Sequence, residues 1–304
     1  MSQPEAEIGS EASWDIRMPV RQTAPVIFSS PHSGRAYPPE FVAASKLDEV
    51  TLRRSEDAFV DEIFAAAPDF GAPLIRALFP RAYVDPNRAA YELDPKMFDA
   101  PLPDHVRTRS PRITAGLGTI PKIVANGESI YDTKLSFAEA ERRIETHYRP
   151  YHAALGRLIA ETRAQFGVAL LIDCHSMPST GPLLSPRLSL KNIDMVLGDG
   201  HGETCAGVVT DTVERTLVDL GYRVTRNRPY SGGYITRHYG HPEDRVHVLQ
   251  IEISRALYMD ERRIQRGPGM AELRRHMGHL MKQVTAIEPD ALKVDDTWLA
   301  KAAE

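Results

Sequence analysis

The sequence predicts an α/β protein, and three observations carry that prediction. Short apolar runs such as Pro25-Val26-Ile27-Phe28 and Val168-Ala169-Leu170-Leu171-Ile172 are continuous and bounded, the pattern of strands buried on both faces. The chain between them is helical in places, most clearly over 137–166, where Ile144, Tyr148, Tyr151, Leu155, Leu158 and Ile159 recur at helical spacing. Both runs turn polar as they end, at Pro31-His32-Ser33-Gly34 and at Asp173-Cys174-His175. Ligands of open α/β sheets bind beyond the carboxyl ends of the strands, so a histidine there is a metal-ligand or acid/base candidate.

A chain of 304 residues can bury a large core. Residues 1–20 are polar and acidic, which predicts a disordered or loosely docked tail. Residues 21–304 are expected to form a single α/β domain with a long irregular insertion at 92–134. The 37 basic and 41 acidic residues leave a net charge of -4, with no basic footprint for nucleic acid. No apolar run approaches the roughly 20 residues needed to span a bilayer, and the first twenty residues lack the apolar core of a signal peptide. A cytoplasmic protein without membrane contact is therefore expected. The two cysteines, Cys174 and Cys205, make no disulfide framework, and nothing in the sequence indicates an oligomeric state.

Taken in order, Pro25–Ser30 reads as the first strand, running into the Pro31–Gly34 turn. Ser55 is a plausible N-cap for a helix through Phe64, with Val60, Ile63, Phe64 and Ala67 as its apolar stripe. On that wheel Glu56 falls within the stripe and Asp57 lies at its edge. An acid facing the core needs a partner; it serves either the helix dipole or a metal. Leu74–Phe79 and Ala82–Val84 read as strands, ending at Asp85-Pro86-Asn87-Arg88. That is an ordinary turn on one reading; on the other, Asp85 holds the Arg88 guanidinium for bidentate recognition of a carboxylate.

The 92–134 segment is rich in Pro and Gly, and so long an irregular stretch is usually functional. Arg109, Gly116-Leu117-Gly118-Thr119 and Lys122 are candidates to line a pocket. His147 and His152, inside the long helix, are expected to pack or hydrogen-bond rather than bind metal. The 193–202 segment reads as a strand and a glycine turn into a helix from about 204 to 220, and it lacks the GxGxxG pattern. A strand at 222–225 and a flexible aromatic loop at 230–240 follow. In the strand Val246–Ser254, Gln250 and Glu252 share one face while Leu249, Ile251 and Ile253 fill the other. Glu252 is either salt-bridged or a base whose pKa burial raises toward neutrality. Glu261 to Ile287 closes the chain as an amphipathic helical region.

The chain thus offers His32, Asp57 and His175 as ligands and Glu252 as an unliganded base. Two histidines and a carboxylate with an open position are the pattern of catalytic zinc in hydrolases, where water is acidified by the metal and a glutamate takes its proton. No GxSxG elbow is present. Asp173 shares a face with His175 and suits a role behind the ligands, orienting one of them.

SSPHSG (29–34), VDPNR (84–88), LIDCHSMPS (171–179), GGYITRHYG (232–240) and VHVLQIEISRALYMDE (246–261), in this order, resemble the N-formylglutamate amidohydrolase family. The resemblance covers about residues 25 to 265. It implies a three-layer α/β/α fold like that of zinc carboxypeptidases and aspartoacylases, with a mixed, mostly parallel sheet of the eight-stranded type. It also implies His32, Asp57 and His175 on one divalent metal ion, zinc foremost, with iron and manganese compatible with the same donors. Arg88 beside Asn87, and Arg237, would hold the carboxylates of a small anionic N-acyl amino acid, and Glu252 would be the general base. Carboxypeptidases carry their acid as HxxE, whereas the third residue after His32 is Arg35. Asp57 fits the family pattern; periodicity alone favours Glu56. The implied reaction is hydrolysis of N-formyl-L-glutamate to L-glutamate and formate, the last step of one histidine-degradation route. A related N-acyl-amino-acid deacylase or carboxypeptidase-like hydrolase is the alternative.

Overall fold

The two longest strands pair with each other at the centre of a sheet. In the computed structural model, which describes residues 12–124, 127–180, 190 and 192–292, the seven strands of that sheet are β1 (Trp14–Arg17), β2 (Val26–Ser30), β3 (Leu74–Ala77), β4 (Ala169–Met177), β5 (Met195–Gly198), β6 (Val224–Arg226) and β7 (Val246–Ser254). Their order is β1-β3-β2-β4-β7-β5-β6. Four of the six neighbouring pairs are parallel; β1 with β3 and β5 with β7 are antiparallel. β4 and β7 are buried along their whole length and run in register from Ala169↔Val246 to Met177↔Ser254.

The helices are α1 (Pro39–Ala44), α2 (Glu49–Leu52), α3 (Val60–Ile63), α4 (Pro111–Thr114), α5 (Phe137–Arg143), α6 (Arg149–Phe166), α7 (Gly207–Asp219), α8 (Tyr234–Tyr239) and α9 (Met270–Thr285). Alternation along the strands divides the core between the two faces. Leu170, Ile172, Cys174, Leu249, Ile251 and Ile253 pack on one side with side chains of α3, α7 and α9. Ala169, Leu171 and Val248 pack on the other with α5, α6 and much of the 92–134 segment, including Leu93, Phe98 and Ile120. This is the expected three-layer arrangement with a mixed, mostly parallel sheet. Among the described residues no helix is long and apolar enough to cross a membrane.

Several elements differ from expectation. The sheet has seven strands rather than eight, and Ala82–Val84 is not one of them: the Pro80 carbonyl accepts from the Tyr83 and Val84 amides, curling this stretch into a turn. Within the expected N-terminal tail, residues 1–11 lie outside the described residues, while Trp14–Arg17 forms an edge strand whose Trp14 and Ile16 pack on the core. Ser55 caps no helix. It ends a 3-10 turn, Arg53–Ser55, and only Val60–Ile63 is α-helical, because Phe59 takes a left-handed backbone (φ 68°) that interrupts the periodicity. The helix over 137–166 is continuous but passes through a π turn at Ile144–Tyr148. Half of the expected loop at 230–240 is the helix α8.

Candidate active site

Strand alternation delivers the first pieces of the site. On β4, Asp173 and His175 point to the same face; their partners in β7 are Gln250 and Glu252. His32 follows the end of β2, the strand on the other side of β4. The turn that replaces the expected helix then brings Asp57 beside it: the Asp57 amide donates to the His32 carbonyl at 3.0 Å. His32, Asp57 and His175 are all buried, and their ligand atoms lie within 4.8 Å of one another.

The hydrogen bonds specify which atoms face inward. His32 Nε2 is 2.8 Å from Asp85 Oδ1, and His175 Nε2 is 2.9 Å from Asp173 Oδ2. These partners assign the ring protons to Nε2. The two Nδ1 atoms then present lone pairs toward Asp57 Oδ2, at 3.2 Å for His32 and 2.9 Å for His175. Two imidazole lone pairs facing a carboxylate oxygen repel unless a cation lies between them, so this donor set fits a metal ion. Asp85 and Asp173 behind the rings are the carboxylates that orient metal-binding histidines.

Charge around the cluster is balanced from the other side. Burial alone would raise the Asp57 carboxyl, but when the rings carry a proton on both nitrogens instead, hydrogen bonds from His175 and His32, with Arg81 nearby, outweigh burial and hold it well below the usual range. Burial would likewise raise Asp85, but Arg81, Arg88 and His32 depress it. The His175 ring is raised well above its ordinary value: burial opposes its charge, and Asp173 and Asp57 outweigh burial. Arg255 donates to Asp57 Oδ1 at 3.1 Å and to Ser176 Oγ at 3.1 Å. Glu56 turns away, bonded by Arg53 at 2.9 Å and Tyr37 at 2.8 Å. With no helix there, the wheel that turned Glu56 inward does not apply.

Glu252 receives a hydrogen bond from Gln250 Nε2 at 3.0 Å, and burial pushes its carboxyl up to about 7, with Asp57 adding and His175 pulling back. A carboxylate poised near neutrality suits a general base. The two histidines of the cluster border a cavity of about 360 Å³ that Asn87, Arg88, Arg237 and Glu252 also help to line.

The Asp85–Arg88 turn is arranged differently from expectation. Asp85 binds His32 and Arg81 (3.0 Å) and lies 3.8 Å from Arg88. Arg88 donates instead through Nε to the Leu117 carbonyl at 2.9 Å and through Nη1 to the Asn87 carbonyl at 2.7 Å. Two of its five N–H groups are thus engaged, and Nη2 with the second Nη1 N–H remains for a ligand. Asn87 Oδ1 accepts from the Ile235 amide at 2.8 Å, while its Nδ2 lies 3.3 Å from His175 Nε2. A Cβ on Gly233 would collide with this amide, so Gly233 is what lets α8 approach. His152 joins the same parts, with its ring 2.8 Å from the Pro86 carbonyl and 2.9 Å from the Tyr239 hydroxyl. His147 packs, 2.9 Å from Ser13 Oγ. Both rings thus take hydrogen-bonding roles along the helix.

Sequence reading missed Arg81, Arg112 and Arg255, all of which line the cavity. Arg81, four residues before Asp85, lies 3.7 Å from Asp57. Of the candidates in the 92–134 segment, Leu117 lines the cavity, whereas Lys122 pairs with Asp94 at 3.6 Å and Arg109 is exposed. Gly118 and Thr119 bolt the segment down: the Thr119 amide donates to Glu92 O and the Asp85 amide to Thr119 O, both at 2.8 Å.

A family model described as N-formylglutamate amidohydrolase matches residues 24–259, a span that contains every residue of this site. The N-formylglutamate deformylase of Pseudomonas aeruginosa is 31% identical over 245 residues, covering 79% of this chain and 84% of that protein. That of Pseudomonas putida is 31% identical over 240 residues, covering 78% and 82%. Among solved structures, N-formylglutamate amidohydrolase from Ralstonia eutropha JMP134 is 36% identical with a TM-score of 0.82, covering 90% of this chain and 98% of its own. The gene product Atu2144 from Agrobacterium tumefaciens, 18% identical with a TM-score of 0.64 and covering 97% of each chain, shares the fold.

Proposed function

Because the chain belongs to the N-formylglutamate amidohydrolase family, we propose that it hydrolyses N-formyl-L-glutamate to L-glutamate and formate, with His32, Asp57 and His175 holding a single divalent metal ion, zinc foremost. The observation that carries this reading is the convergence of two carboxylate-backed imidazoles and Asp57 next to a buried Glu252, in a cavity lined by arginines. When bound, the metal supplies Lewis acidity, making water a better nucleophile and polarising the formyl carbonyl.

The chain's own residues do the rest. Glu252, in its ionised form, takes a proton from the attacking water and passes it to the departing amine nitrogen. A C–O bond forms at the formyl carbon and its C–N bond breaks. Arg81, held by Asp85 beside Asp57, places a fixed positive charge where negative charge grows on the formyl oxygen. Arg88, Asn87 and Arg237 anchor the substrate's carboxylates, so that the scissile bond is positioned before reaction. The product, glutamate, fits a place at the end of histidine degradation, in the cytoplasm.

Metal content measured together with formate release tests this reading. Stoichiometric divalent metal and formate release from N-formylglutamate that chelation abolishes are expected, and His175→Ala loses both. Protein fully loaded with metal that releases no formate overturns it.

A further inference from the structure

The arginines of the cavity are not equivalent. Arg81 pairs with Asp85 and Arg255 with Asp57, both within 3.1 Å. Among the described residues, Arg112 and Arg237 have no carboxylate at ion-pair distance, and the Arg237 guanidinium donates to Ser231 Oγ at 3.2 Å. Arg112 is half-buried on α4, which Ser110 holds at its start: Ser110 Oγ accepts from the Ile113 amide at 3.1 Å and donates to the Glu92 carboxylate. The Leu117 amide closes the turn onto the Arg112 carbonyl at 2.8 Å, and the Leu117 carbonyl accepts from Arg88. Arg112 is therefore carried on a fixed wall, close enough to Arg88 that, after burial and together with Arg81, it helps hold the Arg88 guanidinium down to about 10. Arg112, a half-buried cation near a second cation and without an ion-pair partner of its own among the described residues, calls for an anionic ligand.

The rest of that wall is apolar. Leu117, Pro121 and Ile123 line the cavity next to Arg112, and none of them bonds to His32, Asp57 or His175. Asn87, by contrast, reaches within 3.3 Å of His175 and belongs to the metal side. A glutamyl side chain has this same sequence of chemistry: methylenes, then a carboxylate remote from the scissile bond.

Resting on the hydrolase reading above, we propose that Arg112 is the residue that selects the substrate's distal carboxylate, with Leu117, Pro121 and Ile123 receiving the methylenes before it. The 92–134 segment is thereby a specificity wall, and N-formyl amino acids with a neutral side chain are disfavoured because Arg112 would be left without an anion.

Steady-state kinetics of formate release from N-formylglutamate and from its neutral near-isostere N-formylglutamine test this in the metal-loaded full-length protein. The wild type is expected to favour the dicarboxylate by about 100-fold or more in kcat/KM. Arg112→Ala is expected to lower kcat/KM for N-formylglutamate by about 10- to 100-fold, chiefly through KM, and to leave N-formylglutamine within about threefold. Arg112→Lys restores part of the loss. Activity on N-formylglutamine serves as the internal control for folding. Equal loss on both substrates, or loss on neither, overturns the role of Arg112 while the hydrolase reading stands. A metal-loaded wild type that hydrolyses neither compound overturns both.

Discussion

At the strand-end pole of the cavity, His32, Asp57, His175 and Glu252 each have a polar partner within 3.2 Å. On the loop side, Arg112 and Arg237 line the same cavity with no carboxylate at ion-pair distance among the described residues. The first set sits on β4 and β7, on the turn after β2, and on a loop tied back to that turn. The second sits on α4 and α8, in or beside connecting segments. Groups that must hold a metal and move a proton need fixed geometry and complete internal hydrogen bonding, because a misplaced carboxylate or a wrong tautomer disables them. Groups that recognise a charged substrate need the reverse, a charge whose partner arrives with the ligand. Substitutions at the two poles should therefore separate in kinetics: the strand-end pole controls kcat and metal retention, the loop pole controls KM and substrate choice.

The largest effect is expected at Glu252. Glu252→Gln keeps the shape and the neighbour Gln250 but removes the base, and kcat should fall by about 10²- to 10⁴-fold with metal content unchanged. Metal loss in this variant would mean that Glu252 belongs to the ligand set. Next comes Asp173→Asn, which leaves the three donors in place but no longer fixes the His175 ring. Metal affinity should weaken by about 10- to 100-fold, read by competition with a chelator, and activity should return at high metal concentration. Unchanged affinity would break the contrast between the poles, since backing carboxylates are what distinguish the first.

Proton affinity at Glu252 makes a further test. Burial lifts the carboxyl to about 7, and a bound cation nearby lowers it. The base works ionised, so kcat/KM should fall as pH drops through this value, with an acid limb at or below about 7. A limb well above 7, or flat activity down to pH 5, would remove Glu252 from the role of base.

The two poles were not equally legible in the sequence. Asp173, His175, Gln250 and Glu252 could be placed because side chains alternate along a strand, and one register fixes them all. Asp57 could not be separated from Glu56, because periodicity presumes a helix and the left-handed Phe59 cancels it. What places Asp57 is a backbone bond to His32, across 25 residues, which no local pattern records. Arg255 was invisible for a similar reason, because Asp57 becomes its neighbour only after the sheet has formed. Arg81 lies four residues before Asp85, but the stretch between them, Ala82–Val84, reads as strand, which hid their pairing. Arg112 lies in a segment without periodicity, and its place depends on Ser110 and Leu117 finding Glu92 and Arg88.

The smallest effect on turnover is expected at His152, which touches neither metal ligands nor cavity but ties the turn before Asn87 and the helix α8 to α6. His152→Asn should raise KM a few-fold through Asn87 and Arg237 and leave kcat nearly unchanged. Stability gives the sharper readout. Burial lowers the His152 ring to about 4, whereas the unfolded chain binds a proton below about 6.5. The folded state thus resists a proton that the unfolded state accepts, and the stability this residue contributes is complete above pH 6.5 and declines as pH falls toward 4. Between pH 7.5 and 5 the wild type should lose about 2 kcal/mol that the asparagine variant does not. Urea unfolding of both proteins at the two pH values measures the difference, and parallel losses would show that His152 is not held neutral between the two regions it joins.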